Sequence, residues 1–191
     1  MSKIKILLVA VFCLSLASSA FSQAPISPER KLAIDSLAME KIRDLSKYIS
    51  IVGSKETPFS EANRVIVRTL ELFADDSQIG VSSLFRKEIT YYGVRKYLEH
   101  LMALNYDRVT ISWYNIQYIS DLELQPDGRY VGVITIYQRF EGQSDDGLTY
   151  KDTTKKDITV YVERKHTQIG GKLIGFWDVL LGDVRVTETS K

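Results

Sequence analysis

Cysteine is almost absent: Cys13 is the only one in 191 residues, and it falls inside an N-terminal leader. Beyond the leader the chain can build no disulfide scaffold, thiol nucleophile or thiolate metal site. Histidine is scarce as well, and His100 and His166 lack a second imidazole or a carboxylate at a spacing that would converge on a metal, so no metal is expected. None of the eleven glycines falls at phosphate-loop spacing, Gly-x-Ser-x-Gly is missing, and no serine has a plausible base. No cofactor is therefore expected. Neither sign of charge is in excess, with 25 basic residues against 24 acidic ones, which excludes the electrostatic footprint of a nucleic-acid binder. Past the leader no apolar run reaches the roughly eighteen residues that would insert stably across a membrane. Internal repeats and low-complexity tracts are missing too.

The leader itself is informative. Lys3 and Lys5 precede an apolar run from Ile6 to Ala17, and the small residues Ser18, Ser19 and Ala20 follow. This is the pattern of a secretory signal peptide, with an apolar run too short to span a bilayer. Ala20 and Ser22 fit the small positions of the cleavage site, so residues 1–22 are expected to be removed and the mature chain to start at Gln23. Phe12 stands before Cys13 where a lipoprotein site needs a small residue, and no lipid is expected. The leader takes two of the 25 basic residues and no acid, leaving 23 against 24. Removing 22 of 191 residues leaves 169, a size at which one domain buries roughly 70% of its unfolded surface. Residues 23–191 are read as that single exported domain.

The first half of the mature chain carries helical periods. Ser27-Pro28 supplies a hydroxyl cap and a proline for the first helical turn. Ile34, Leu37, Ala38, Ile42, Leu45 and Ile49 then recur at three- and four-residue steps, predicting a helix to about Ser50 that is stopped by Gly53. Val65, Ile66, Thr69, Leu70 and Phe73 predict a second helix over 60–74. Val94, Tyr97, Leu98 and Leu101 predict a third over 92–104. Between them, residues 78–85 read as a short strand or an irregular crossing.

Near Asn105 the apolar period changes from 3.6 to 2. Val109 to Ile119 alternates, with Val109, Ile111, Trp113, Asn115, Gln117 and Ile119 on one face. The turn Gln125-Pro126-Asp127-Gly128 introduces a second strand over 130–140; further strands are predicted over 157–164 and 173–179, with a short fifth over 183–186. Glu141 to Tyr150 and His166 to Lys172 read as polar loops. The fold class is therefore α+β: three N-terminal helices packed on one face of a strongly bent antiparallel sheet.

This order of elements, with Phe73, Val94-Arg95-Lys96-Tyr97-Leu98 and Gly175-Phe176-Trp177-Asp178-Val179, resembles the nuclear transport factor 2-like superfamily. That is the cystatin-like α+β cone, in which a bent sheet wraps a long helix and leaves a cavity at its open end. The leader implies export to the periplasm, the cell surface or the medium; the resemblance points to a Gram-negative bacterium and implies a ligand-binding cavity and a homodimer paired through its sheet. Its enzymatic members, isomerases, cyclases and dehydratases, use a cavity Asp or an Asp/His pair with tyrosine donors. Fold alone does not choose among these activities.

Two functional readings follow. The first is a non-catalytic module that binds a small apolar or sugar-like ligand or a protein partner, with Trp113, Asn115, Gln138 and Trp177 as the candidate contacts. The second is a cavity enzyme with Asp178 as general base, since Asp178 is the carboxylate embedded in an apolar strand. Asp178 at the sheet rim beside a lysine or arginine is the bland counterpart. Likewise Asp145, Asp146 and Asp152 lack the ligand alternation of a calcium loop and read as a solvated tip, and Lys151, Lys155 and Lys156 as a mixed strand edge. Aromatics such as Tyr114, Tyr137, Tyr161 and Phe176 serve either as packing for the helices or as an exposed face.

Overall fold

The computed structural model describes residues 26–118 and 120–191, and the expected leader and cleavage site lie outside them. Helix α1 (Pro28–Gly53) begins as its sequence predicts: Ser27 Oγ accepts from the Arg30 amide at 3.4 Å and Pro28 opens the first turn. It extends one turn further than Ser50. Ile34, Ala38, Ile42, Leu45, Ile49 and Val52 form its buried stripe.

Helix α2 (Phe59–Leu70) ends four residues early. Leu72 and Ala74 make backbone bonds to the last strand instead, the Leu181 amide donating to the Leu72 carbonyl at 2.8 Å and the Ala74 amide to the Leu181 carbonyl at 2.7 Å. Two strands follow, β1 (Gln78–Ser83) and β2 (Arg86–Gly93), paired as a hairpin. The second is a strand the sequence reading does not contain, since no element is predicted there between residue 85 and the helix expected from 92. Tyr92 pairs with Ile79, so helix α3 (Val94–Met102) starts two residues later than its periodicity suggests.

Strands β3 (Arg108–Tyr118), β4 (Glu123–Leu124), β5 (Tyr130–Gln143), β6 (Thr149–Ile169) and β7 (Lys172–Ser190) complete a curled, unclosed seven-stranded sheet. Its order is β2-β1-β7-β6-β5-β3, with β4 on β5, and every pair is antiparallel except β1 with β7. The expected loops shrink to turns at Ser144 to Leu148 and at Gly170-Gly171, where both glycines adopt positive φ. The expected fifth strand is the continuation of β7. The helices lie on one face, and α1 packs Ile42, Leu45 and Ile49 into one cluster with Ile134, Ile158, Val160 and Val162. Among the described residues no helix is long and apolar enough to cross a membrane.

One irregularity redirects β3. Tyr114 pairs with Tyr137 but Gln117 with Thr135, so β3 carries an extra residue there, and Asn115 takes φ 49°. A bulge of this kind reverses the side-chain alternation beyond it. Ile116 packs toward the core while Asn115 and Gln117 are exposed, contrary to the alternation that put those two on the Trp113 face.

Candidate functional site

Extending the alternation of β6 backward from Ile158 brings Lys156, Thr154, Asp152 and Tyr150 onto the same concave face. Beside them on β5, Ile136, Gln138 and Phe140 pair with Lys156, Thr154 and Asp152. The helices cover the apolar half of this face and leave the polar half under a cavity of about 570 Å³. Its inner end is lined by buried Gln138, Asp152, Thr154 and Lys156, with Tyr97, Leu101 and Ile111 as apolar walls. Exposed Phe85, Arg86, Glu88 and Ala103 surround the mouth.

The polar floor is held from two sides. Tyr150 donates to Asp152 Oδ2 at 2.6 Å and accepts from the Leu84 amide at 3.0 Å, which ties the β1–β2 hairpin to β6. Asp152 is 6% exposed, and burial raises its proton affinity against the opposing effects of the Tyr150 hydrogen bond and the Lys156 charge. Lys156 is 3% exposed; its ammonium donates to the Gly80 carbonyl at 3.3 Å and lies 5.8 Å from the Tyr97 ring centre. Burial pulls its pKa down to about 8, with the Asp152 charge acting in the other direction. Among the described residues no carboxylate lies within salt-bridge distance of it. Gln138 Oε1 is buried and has no hydrogen-bond partner.

These groups converge in one space and retain unused hydrogen-bonding capacity. An ammonium donor, an amide acceptor and a carboxylate surrounded by apolar walls can orient an oxygen-bearing molecule and exchange a proton with it. Among the described residues no cluster of three or more His, Cys, Asp and Glu side chains is arranged to hold a metal ion.

Of the candidate ligand contacts Trp113, Asn115, Gln138 and Trp177, Gln138 alone lines this cavity. Trp113 packs against the core with its Nε1 buried and unpartnered, and Trp177 stacks edge-on against Tyr130 at 5.8 Å. Asn115 is turned away by the β3 bulge. Asp178 is paired on the sheet with Glu163 and bound by Lys165 Nζ at 2.7 Å, outside the cavity. It is therefore a rim carboxylate held by a lysine. Asp152 and Lys156, expected in a solvated tip and a mixed strand edge, are instead buried, because their strand starts at Thr149 and not at Asp157; the alternation Ile158, Val160, Val162 continued eight residues toward the N-terminus reaches Lys156, Asp152 and Tyr150. His100 stacks edge-on with Tyr92 at 4.8 Å at the cavity wall, away from any second histidine.

No protein-family model matches the sequence, and no curated protein matches it. A crystal structure of a protein from Novosphingobium aromaticivorans DSM 12444, described as a proposed scytalone dehydratase, is 11% identical. The two align over 84% of this chain and 89% of that one, with a TM-score of 0.42. At that level the likeness carries no functional conclusion, and what characterises the chain is its own geometry: α+β, three helices on a curled sheet, with a polar-floored cavity between them.

Proposed function

We propose that this is an exported ligand-binding domain of the nuclear transport factor 2-like kind, taking a small, mainly apolar molecule whose oxygen acceptor meets Lys156. One observation carries the reading: a buried ammonium and the unpartnered Gln138 Oε1 face the same cavity, whose volume falls in the usual range for small-molecule sites. Unsatisfied buried polar groups are costly, and a ligand that pairs with them recovers that cost. Because Asp152 shares the floor with Lys156, a neutral carbonyl or hydroxyl suits the site better than an anion does.

The test is a thermal-shift screen with aromatic ketones and phenols. Saturable stabilisation of the native chain should disappear in Lys156→Met and in Ala103→Trp, which plugs the mouth from an exposed position. Binding that survives both variants overturns the reading.

A second reading, proton-transfer catalysis, has Asp152 in the place that Asp178 cannot fill. Its support is the raised proton affinity of Asp152 inside an apolar cavity with a tyrosine hydroxyl at 2.6 Å. Turnover of any compound found in the screen should then fall about 10²–10⁴-fold in Asp152→Asn. Unchanged turnover removes Asp152 from that role.

A further inference from the structure

The far ends of β6 and β7 leave the sheet together. β5 accompanies β6 only as far as Val162, and β1 meets β7 at Val184, so the ribbon from Glu163 and Asp178 to the Gly170-Gly171 turn has no described strand beside it. Seven residues per strand project about 20 Å beyond the sheet. Four of the twelve exposed large hydrophobics among the described residues lie in this ribbon: Ile169, Leu173, Ile174 and Phe176, at 60, 73, 45 and 43% exposure. Such a concentration marks a contact surface.

The distribution of these side chains selects the partner. The register puts Phe176, Ile174 and Ile169 on one face and Leu173 on the other, so the tip is apolar on both sides. A flat protein surface covers one face of a ribbon, whereas a fluid apolar medium surrounds the tip. Charge points the same way: from Arg164 to Trp177 the sequence holds Arg164, Lys165 and Lys172 and no carboxylate. Lys165 is bound at the base by Glu163 and Asp178, while Arg164 and Lys172 make no ion pair among the described residues. Long cationic side chains beside an apolar tip can reach back to a charged interface.

We propose that the β6–β7 ribbon docks on an anionic lipid surface. Its tip, residues 169–174, enters the boundary between headgroups and acyl chains, and Arg164 and Lys172 meet the lipid phosphates. Depth is limited by the ribbon's two free edges, whose backbone groups would lose water in the hydrocarbon. The contact is thus peripheral, in keeping with a chain that has no described spanning helix.

The mature chain, mixed with vesicles of phosphatidylcholine alone or with added phosphatidylglycerol and then sedimented, provides the test. It should sediment with the anionic vesicles only, and raised salt should release it. Lys172→Glu should weaken partition about fivefold, and Leu173→Ser with Ile174→Ser about tenfold. Both variants should keep the thermal midpoint of the native chain, since the tip touches neither core nor cavity. Absence of sedimentation, equal sedimentation with both vesicle types, or unchanged partition in the variants overturns the proposal. A lower solution mass for the Leu173/Ile174 variant by light scattering also overturns it, because the tip then serves a second copy of the chain.

Discussion

Lys156 carries an ammonium that folding places among apolar walls, and its displacement from 10.5 to about 8 corresponds to a penalty of about 3 kcal/mol at neutral pH. The sign follows from proton counting. Below pH 8 both folded and unfolded chains hold the proton and the full penalty applies. Between pH 8 and 10.5 the folded chain releases it first, so stability rises with pH through that window. Lys156→Met, which keeps the shape and removes the charge, should therefore be more stable than the native chain by about 1–3 kcal/mol at pH 7. Urea unfolding repeated near pH 10 should show the gap closing, and the same variant should bind no cavity ligand. Asp178 provides the contrast. Its pair with Lys165 is partly exposed, at 25% and 43% for the two side chains, and such pairs contribute about 0–1 kcal/mol. Asp178→Asn should shift the unfolding midpoint only slightly and leave ligand binding intact; loss of binding would restore Asp178 to the site.

At the level of elements, β5 shapes the cavity wall through a residue with no side chain. A Cβ on Gly142 would stand 2.8–2.9 Å from three ring atoms of Tyr106, which lines the cavity. Overpacking of this kind costs about 1–3 kcal/mol, so Gly142→Ala should lower the thermal midpoint and weaken ligand binding together. A variant with unchanged midpoint and affinity would mean that Tyr106 swings clear. The helices were legible in sequence because Ile34, Ala38, Ile42, Leu45 and Ile49 repeat with one period and are buried against one surface. The strands were legible where apolar residues alternate, as in Ile158, Val160 and Val162. They were illegible where the inward positions turn polar, as in Asp152, Thr154 and Lys156, because alternation of threonine, lysine and aspartate gives no hydrophobic contrast. Asn115 failed for another reason: a positive φ at a residue other than glycine leaves no trace in a pattern of polarity.

The molecule as a whole has a second broad face, opposite the helices. There Tyr114 stacks on Tyr137 at 5.7 Å with the Arg139 guanidinium 5.5 Å from the Tyr114 ring centre, and the Arg129 guanidinium lies 4.7 Å from the Tyr161 ring centre. Aromatic and arginine side chains of this kind are enriched at interfaces. Light scattering should give the mass of two copies of the chain, and Tyr137→Glu should halve it; a native monomer would assign this face to solvent. The position of β7 has a different consequence, one of timing. It is the last strand in the chain, yet it lies between β6 and β1 and also receives the Leu72 to Ala74 segment. Until residues 172–190 are available, the N-terminal hairpin and the β3–β5–β6 block have no strand joining them. Pairings so distant in sequence fold slowly, since the loop they close must be ordered before any contact repays it. A ribosome-bound chain consequently cannot complete this sheet until residues 172–190 have emerged, and its two halves stay unjoined up to that moment.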